Sequence, residues 1–226
     1  LVNFTYSGVT ASDVATQMDY FRYGADDYYI VQGQTNNTKL YLNSTENTVA
    51  RVYMKSEPSW ATYFTTTLND AVSYANTLTS TSDDHPVVDV LKDVSLNSSI
   101  TIGNSMGLTT SKANGVTVTR TNKDAQIIIA GKTLFIDSNA GNLTFTQASN
   151  ITPEKSLINV NENGGLGIAG NTVFTGNSAK NGGVINHNGL IINIEGGTFT
   201  NNTATNGGVI NHNGLIIQIE GGTFTN

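Results

Sequence analysis

Residues 182–201 read GGVINHNGLIINIEGGTFTN, and residues 207–226 read GGVINHNGLIIQIEGGTFTN. One position in twenty differs, Asn193 against Gln218, and only Asn202-Thr203-Ala204-Thr205-Asn206 stands between the two copies. A repeat of about 20–30 residues, rich in Gly, Asn and β-branched side chains, is the signature of a β-solenoid. One such unit cannot bury its apolar face alone, so successive copies must stack as coils. Any ligand then meets a long side surface rather than a closed pocket. The sequence stops at Asn226, inside a repeat unit, which is the expectation for part of a longer array.

Alternation assigns faces within the repeat. With Leu190, Ile192 and Ile194 inward, Ile191, Asn193 and Glu195 point outward, and the single Asn193/Gln218 difference falls on the outer surface. In Thr198-Phe199-Thr200 the ring points in and both hydroxyls out. Followed backwards, Phe174-Thr175-Gly176-Asn177 matches Phe199-Thr200-Asn201-Asn202, and Phe145 is a more degenerate predecessor. The rings of Phe145, Phe174, Phe199 and Phe224, each one repeat from the next, should form one internal ladder. Short β runs recur from Pro86 onward between Asn, Gly and Asp turns. At three strands per coil and about 4.8 Å between coils, about six coils would make a rod on the order of 30 Å long.

Upstream of the coils, Thr67–Asn76 carries apolar residues at Leu68, Ala71, Val72 and Ala75, the i, i+3, i+4, i+7 spacing of an amphipathic helix. Thr67 is placed to N-cap it, with Asp70 at the positive helix end. A helix there would cover the open first coil, whose unpaired backbone otherwise invites edge pairing. Residues 1–57 show no repeat and hold seven of the nine tyrosines. They read as an α+β lead-in module: a short helix with Val14, Met18 and Phe21 on one face, then β-rich runs with a hairpin loop at Gly33–Thr38. The organisation is therefore a lead-in at 1–57, a capping helix and linker at 58–85, and β-helix repeats at 86–226.

Charged residues make up only 12% of the chain, and the net charge is −6. This argues against a nucleic-acid partner, which needs clustered Lys and Arg, and against docking to anionic lipid. Cysteine is absent, so disulfides and Cys-based zinc sites are excluded. No segment approaches 18 consecutive apolar residues, so none predicts a membrane-spanning helix. The first residues, Leu1–Thr5, show no basic segment followed by an apolar one, so a secretion signal has been removed or lies outside this sequence.

Taken in order, Leu68-Asn69-Asp70-Ala71-Val72, Val90–Leu96 and Ser99–Ile102 are followed by Gly-Gly-Val-Ile at 182–185 and 207–210 and by Phe-x-x-Asn at 174–177 and 199–202. Over about residues 67–226 this resembles the right-handed parallel β-helix adhesin-like proteins of Gram-positive bacteria and archaea. The repeats are also similar to those of polymorphic outer-membrane proteins, with Val184 and Val209 where Ala is usual. The resemblance implies an all-β, pectin-lyase-like fold and a secreted or cell-surface-anchored location. It also implies attachment to a glycan or protein on a host or neighbouring cell. Residues 1–57 carry no such resemblance.

Candidate chemistry is sparse. Glycan-cleaving enzymes on this fold gather carboxylates on one strand face. Here Glu195 and Glu220, one coil apart, read as a duplicated solvated charge, and no Asp follows Asp137. Asp83-Asp84-His85 reads as a polar turn rather than a cation site. The Thr-x-Thr pattern is broken at Val173, which argues against a flat ice-binding array. His187 and His212 recur within Asn-His-Asn without a repeating third ligand of metal-binding type. Stacked asparagines are a structural device of coil corners. An exposed strip of Asn186, His187 and Asn188 with Asn211, His212 and Asn213 is nonetheless the recurring contact surface the sequence offers. No catalytic residue, metal or cofactor is assigned. The reading is an adhesin, with a pectin-lyase-like enzyme and a passive stalk as alternatives.

Overall fold

The computed structural model describes residues 48–56 and 63–225 in full, and the backbone alone of strands within 4–5, 28–32 and 39–44. The helix expected around Val14–Phe21 and the loop Gly33–Thr38 lie outside the described residues. Strands β1 (Phe4–Thr5), β2 (Tyr28–Gln32) and β3 (Lys39–Ser44) form a three-stranded antiparallel sheet in the order β1-β3-β2. Strands β4 (Ala50–Met54) and β5 (Tyr63–Thr65) pair antiparallel, and β4 pairs with the first solenoid strand, β6 (Pro86–Val90). Residues 50–54, grouped by sequence with the lead-in module, thus continue the sheet of the coils.

From β6 onward the chain is a β-solenoid of stacked parallel coils, about five turns long. The first face stacks β6, β9 (Met106–Thr109), the first half of β12 (Thr133–Gln147), the first half of β14 (Gly165–Thr175), β17 (Ile191–Ile194) and β21 (Ile216–Ile219). The second stacks β7 (Val94–Leu96), β10 (Val116–Arg120), the second halves of β12 and β14, β18 (Thr198–Thr200) and β22 (Thr223–Thr225). The third stacks β8 (Ile100–Ile102), β11 (Ile127–Ile129), β13 (Ile158–Val160), β16 (Ile185–His187) and β20 (Ile210–His212). A short pair, β15 (Ser178–Asn181) and β19 (Thr203–Asn206), joins the last two coils at a corner. About five turns join six rungs on the first two faces, and the middle coils are longer than the terminal repeat. Ile136 pairs with Ile168, whereas Ile194 pairs with Ile219, a shorter step along the chain.

Two strands that sequence patterning passes over, Met106–Thr109 and Gly165–Gly170 at the start of β14, are Gly-containing and lack a β-branched run. Their neighbours hold them in the ladder, since glycine gives a strand little preference of its own. The runs expected at Leu134–Ile136 and Leu143–Phe145 prove to be one long bent strand, β12, whose register shifts between Ser138 and Leu143.

The core is a column of inward side chains. Phe145, Phe174 and Phe199 are fully buried. Their rings stack 5.0 and 5.1 Å apart, and Phe224 continues the ladder 4.6 Å from Phe199. Phe224 is nonetheless 41% exposed. The Asn of each Phe-x-x-Asn motif has an equally physical role. Asn177 and Asn202 are buried, and their side-chain amides donate to the carbonyls of Phe145 and Phe174 one coil back, at 3.1 and 2.9 Å. Buried polar groups need such partners, so the motif couples an aromatic rung to the hydrogen bond that closes its corner. The Gly-Gly turn is just as constrained. Gly182 sits at φ +61, and a Cβ there would lie 1.9 Å from the Ile185 carbonyl oxygen.

Helix α1 (Leu68–Ala75) caps the first coil as its sequence predicts. Thr67 Oγ1 accepts from the Asp70 backbone N–H at 3.0 Å, and Leu68, Ala71, Val72 and Ala75 are buried. The side chain of Asn76 ties the helix end to the first rung of the third face. It donates to the Thr101 carbonyl at 2.8 Å and accepts from the Gly103 N–H at 2.9 Å. Leu190 departs from the expected alternation. It is 42% exposed because it belongs to the turn before β17, so the period of two begins only at Ile191.

Candidate functional site

The sequence Ile-Asn-x recurs at 158–160, 185–187 and 210–212, and the three strands pair in parallel register. Ile158, Val160, Ile185 and His187 are buried, so the residue between each inward pair faces out. The result is an outward amide ladder. Asn186 Nδ2 donates to Asn159 Oδ1 at 3.0 Å, and Asn211 Nδ2 donates to Asn186 Oδ1 at 2.9 Å. Asn159 in turn donates to Asn161 Oδ1 at 2.7 Å. A primary amide carries two N–H donors and two acceptor lone pairs. The ladder uses one N–H and one lone pair of Asn186, leaving its second donor and second acceptor position for solvent or a ligand.

Beside the ladder lies a polar recess of about 320 Å³. Asn159 and Asn186 line it together with Gln126, Glu154, Lys155, Ser156 and Asn181. Its wall is pinned by hydrogen bonds. Gln126 Nε2 donates to the Ser156 carbonyl at 2.9 Å, Ser156 Oγ donates to the Asn181 carbonyl, and Asn206 Nδ2 donates to Asn181 Oδ1 at 2.8 Å. Glu154 and Lys155 are exposed, and neither side chain forms a hydrogen bond or ion pair among the described residues. The recess therefore offers one free acceptor group and one free cation next to a row of amides.

The six residues singled out by sequence divide into three groups. Asn186 and Asn211 belong to the ladder. Asn188 and Asn213 are exposed in the turns that follow, and their backbone N–H groups donate to the carbonyls of Val160 and His187 at 2.8 Å each. The histidines point the other way. His187 is fully buried, which corrects its placement in an exposed strip, and His212 stacks on its far side at 4.9 Å. The period-two rule contained this answer, because Ile185 inward requires His187 inward. A Cβ at Gly214 would come within 2.4 Å of His187 Cε1, so that glycine makes room for the ring.

His187 Nδ1 and His212 Nδ1 are 2.8 Å apart, so one must donate and the other accept. His187 Nε2 is buried without a partner. Burial, with His212 adding repulsion, pushes the His187 pKa down to about 4. The ring is a neutral part of the core.

Elsewhere the candidates stay apart. Asp84 accepts from the backbone N–H and the hydroxyl of Ser56, at 2.9 and 2.6 Å, and these bonds lower its pKa. Glu195 is exposed and accepts from Asn193 at 2.7 Å. Among the described residues no three His, Asp or Glu side chains gather as a metal site would require. Sequence reading passed over Asn159, although Ile158-Asn159-Val160 is a third copy of the same pattern. The recess itself had no sequence signal, because it joins residues from three separate coils.

Compared with protein-family models, with curated proteins and with solved structures, the chain matches none. The fold defines the class, a parallel β-solenoid, and the functional reading rests on the geometry above.

Proposed function

We propose that this chain is the rod of a secreted or cell-surface-anchored adhesin that binds a glycan or protein of a host or neighbouring cell through the outward side of its third face. The observation that carries the reading is the amide ladder Asn159–Asn186–Asn211, continuous with the polar recess. Its spare donors and acceptors are fixed in direction by the ladder bonds, so binding would freeze few side-chain rotors. Sugar hydroxyls, each both donor and acceptor, complement such a row. Single contacts of this kind are weak, and repetition along a rigid rod strengthens them by avidity.

The test is an array of glycans and mucins probed with the intact chain, with the bound sugars eluted and their lengths measured. Capture without shortening, lost in an Asn186→Ala/Asn211→Ala double variant, is the expected result. Shortened products would replace the adhesin by a pectin-lyase-like enzyme. No capture by any array member would leave the rod as a passive stalk.

A further inference from the structure

On the outer side of the first face, one row crosses five rungs in register: Val87, Gly107, Phe135, Gly167 and Asn193. Leu134 and Ile136 are buried, so Phe135 between them must face out, and it is 43% exposed. Glycine stands on both sides of it. On one side the ring lies over Gly167, where an added Cβ would sit 3.0 Å from Phe135 Cδ1. On the other side Gly107 leaves room for His85, whose Nε2 lies 3.7 Å from where that Cβ would be. The two rings meet across the glycine rung, 5.4 Å between centroids and tilted by 31°.

We infer that Phe135 and His85 form a ligand site separate from the amide ladder, an aromatic shelf that stacks against the ring of a neutral pyranoside. Covering Gly167 accounts for where Phe135 lies, but it does not account for a second ring laid over Gly107. An aromatic surface left in water is unfavourable in proportion to its area. A sugar ring presents apolar C–H groups on its face and hydroxyls at its edge, and the shelf has groups to meet both. Beside His85 stand Lys55, whose backbone N–H donates to the His85 carbonyl at 3.0 Å, and Asp84, fixed by Ser56. A cation and a carboxylate at the same rim favour a neutral polyhydroxyl ligand over a charged one. Burial and Lys55 together lower the His85 pKa against the pull of Asp84, which favours the uncharged ring.

The inference shares with the proposed function only the idea that the rod displays ligand sites, and it concerns a different face. The probes are maltohexaose, cellohexaose, mannohexaose and chitohexaose, added singly to the labelled protein while the His85 ring resonances are followed by NMR. Affinities of those that shift the ring are then measured by calorimetry. At least one sugar should shift His85. Phe135→Ala should weaken that sugar by about tenfold or more, the loss typical of a central aromatic contact. Phe135→Trp should retain it, and in Asn186→Ala/Asn211→Ala the same sugar should still shift the His85 ring. The shelf is overturned if no sugar moves His85, or if Phe135→Ala binds like the parent. Loss of that shift in the asparagine double variant alone would uphold the third-face site and dismiss the shelf.

Discussion

Residues 182–201 and 207–226 differ at one position, yet the same side chains live in different surroundings. Ile192, Ile194, Phe199 and His187 are fully buried. Their counterparts Ile217, Ile219 and Phe224 are 36%, 53% and 41% exposed, and His212 is exposed with them. Backbone pairing does not differ: every strand of the last coil lies in register on the one before it. Ring stacking carries over too, with interplanar angles of 11° for Phe174–Phe199 and 4° for Phe199–Phe224. Conformation is thus set by the neighbour on one side, while burial needs neighbours on both. At the opposite end the first coil has its second neighbour in α1, which supplies apolar cover, and in β4, which pairs antiparallel with β6.

The largest test of this comparison truncates the same ring in both coils. Phe199→Ala should lower stability by about 3–5 kcal/mol, because a cavity opens between two fixed rungs. Phe224→Ala should lose less than about 2 kcal/mol, since one side is already wet. Thermal or urea unfolding of the two variants reads this directly, and equal losses would break the argument.

Next in size is the corner asparagine. Asn177→Ala removes a buried amide that donates to the Phe145 carbonyl and to Asn202 Oδ1, while Asn202 keeps the Asn177 backbone N–H. A loss of about 1–3 kcal/mol is expected, visible as a lower urea midpoint.

The histidine pair sharpens the comparison through pH. The His187 pKa, about 4 in the folded chain, rises to an ordinary imidazole value on unfolding. Between these values the unfolded chain binds the extra proton, so stability should rise with pH. The contribution is complete above the ordinary value and is lost as pH falls toward about 4. Unfolding midpoints measured from pH 7.5 down to 4.5 should show this slope, and His187→Leu should flatten it. A parent slope that survives in the variant would assign the effect to other groups.

The smallest expected stability change belongs to the outward ladder. Asn186→Ala/Asn211→Ala should cost under about 1 kcal/mol, as half-exposed hydrogen bonds do, while removing glycan capture. A large loss of stability would make the ladder a structural corner rather than a contact surface.

Much of this architecture can be read from particular residues. The Phe-x-x-Asn spacing predicts the ring ladder, and Thr67 with Leu68, Ala71, Val72 and Ala75 predicts the capping helix to within a residue at each end. Asn186 and Asn211 could be named as stacked amides because the repeat places them one coil apart. The misreadings share one cause. Period-two alternation fixes which residues share a face, but its phase comes from a neighbour known to be inside. Extended one residue too far, it turned Leu190 inward. Left unapplied to Ile185, it left His187 outside. Phe135 was legible by the same rule, lying between Leu134 and Ile136, but its meaning depends on Gly107 and Gly167, each a full coil away along the chain.

The sequence by itself determined the repeat, the inward rings and the cap, because these follow from local propensity and from a period written in the chain. Tertiary structure alone decided coil length in the irregular middle, the recess shared by three coils and the aromatic shelf across the Gly107 rung. Those features depend on which rung lies above which. That pairing is settled by packing of the whole stack, since no single coil has enough buried surface to fix it.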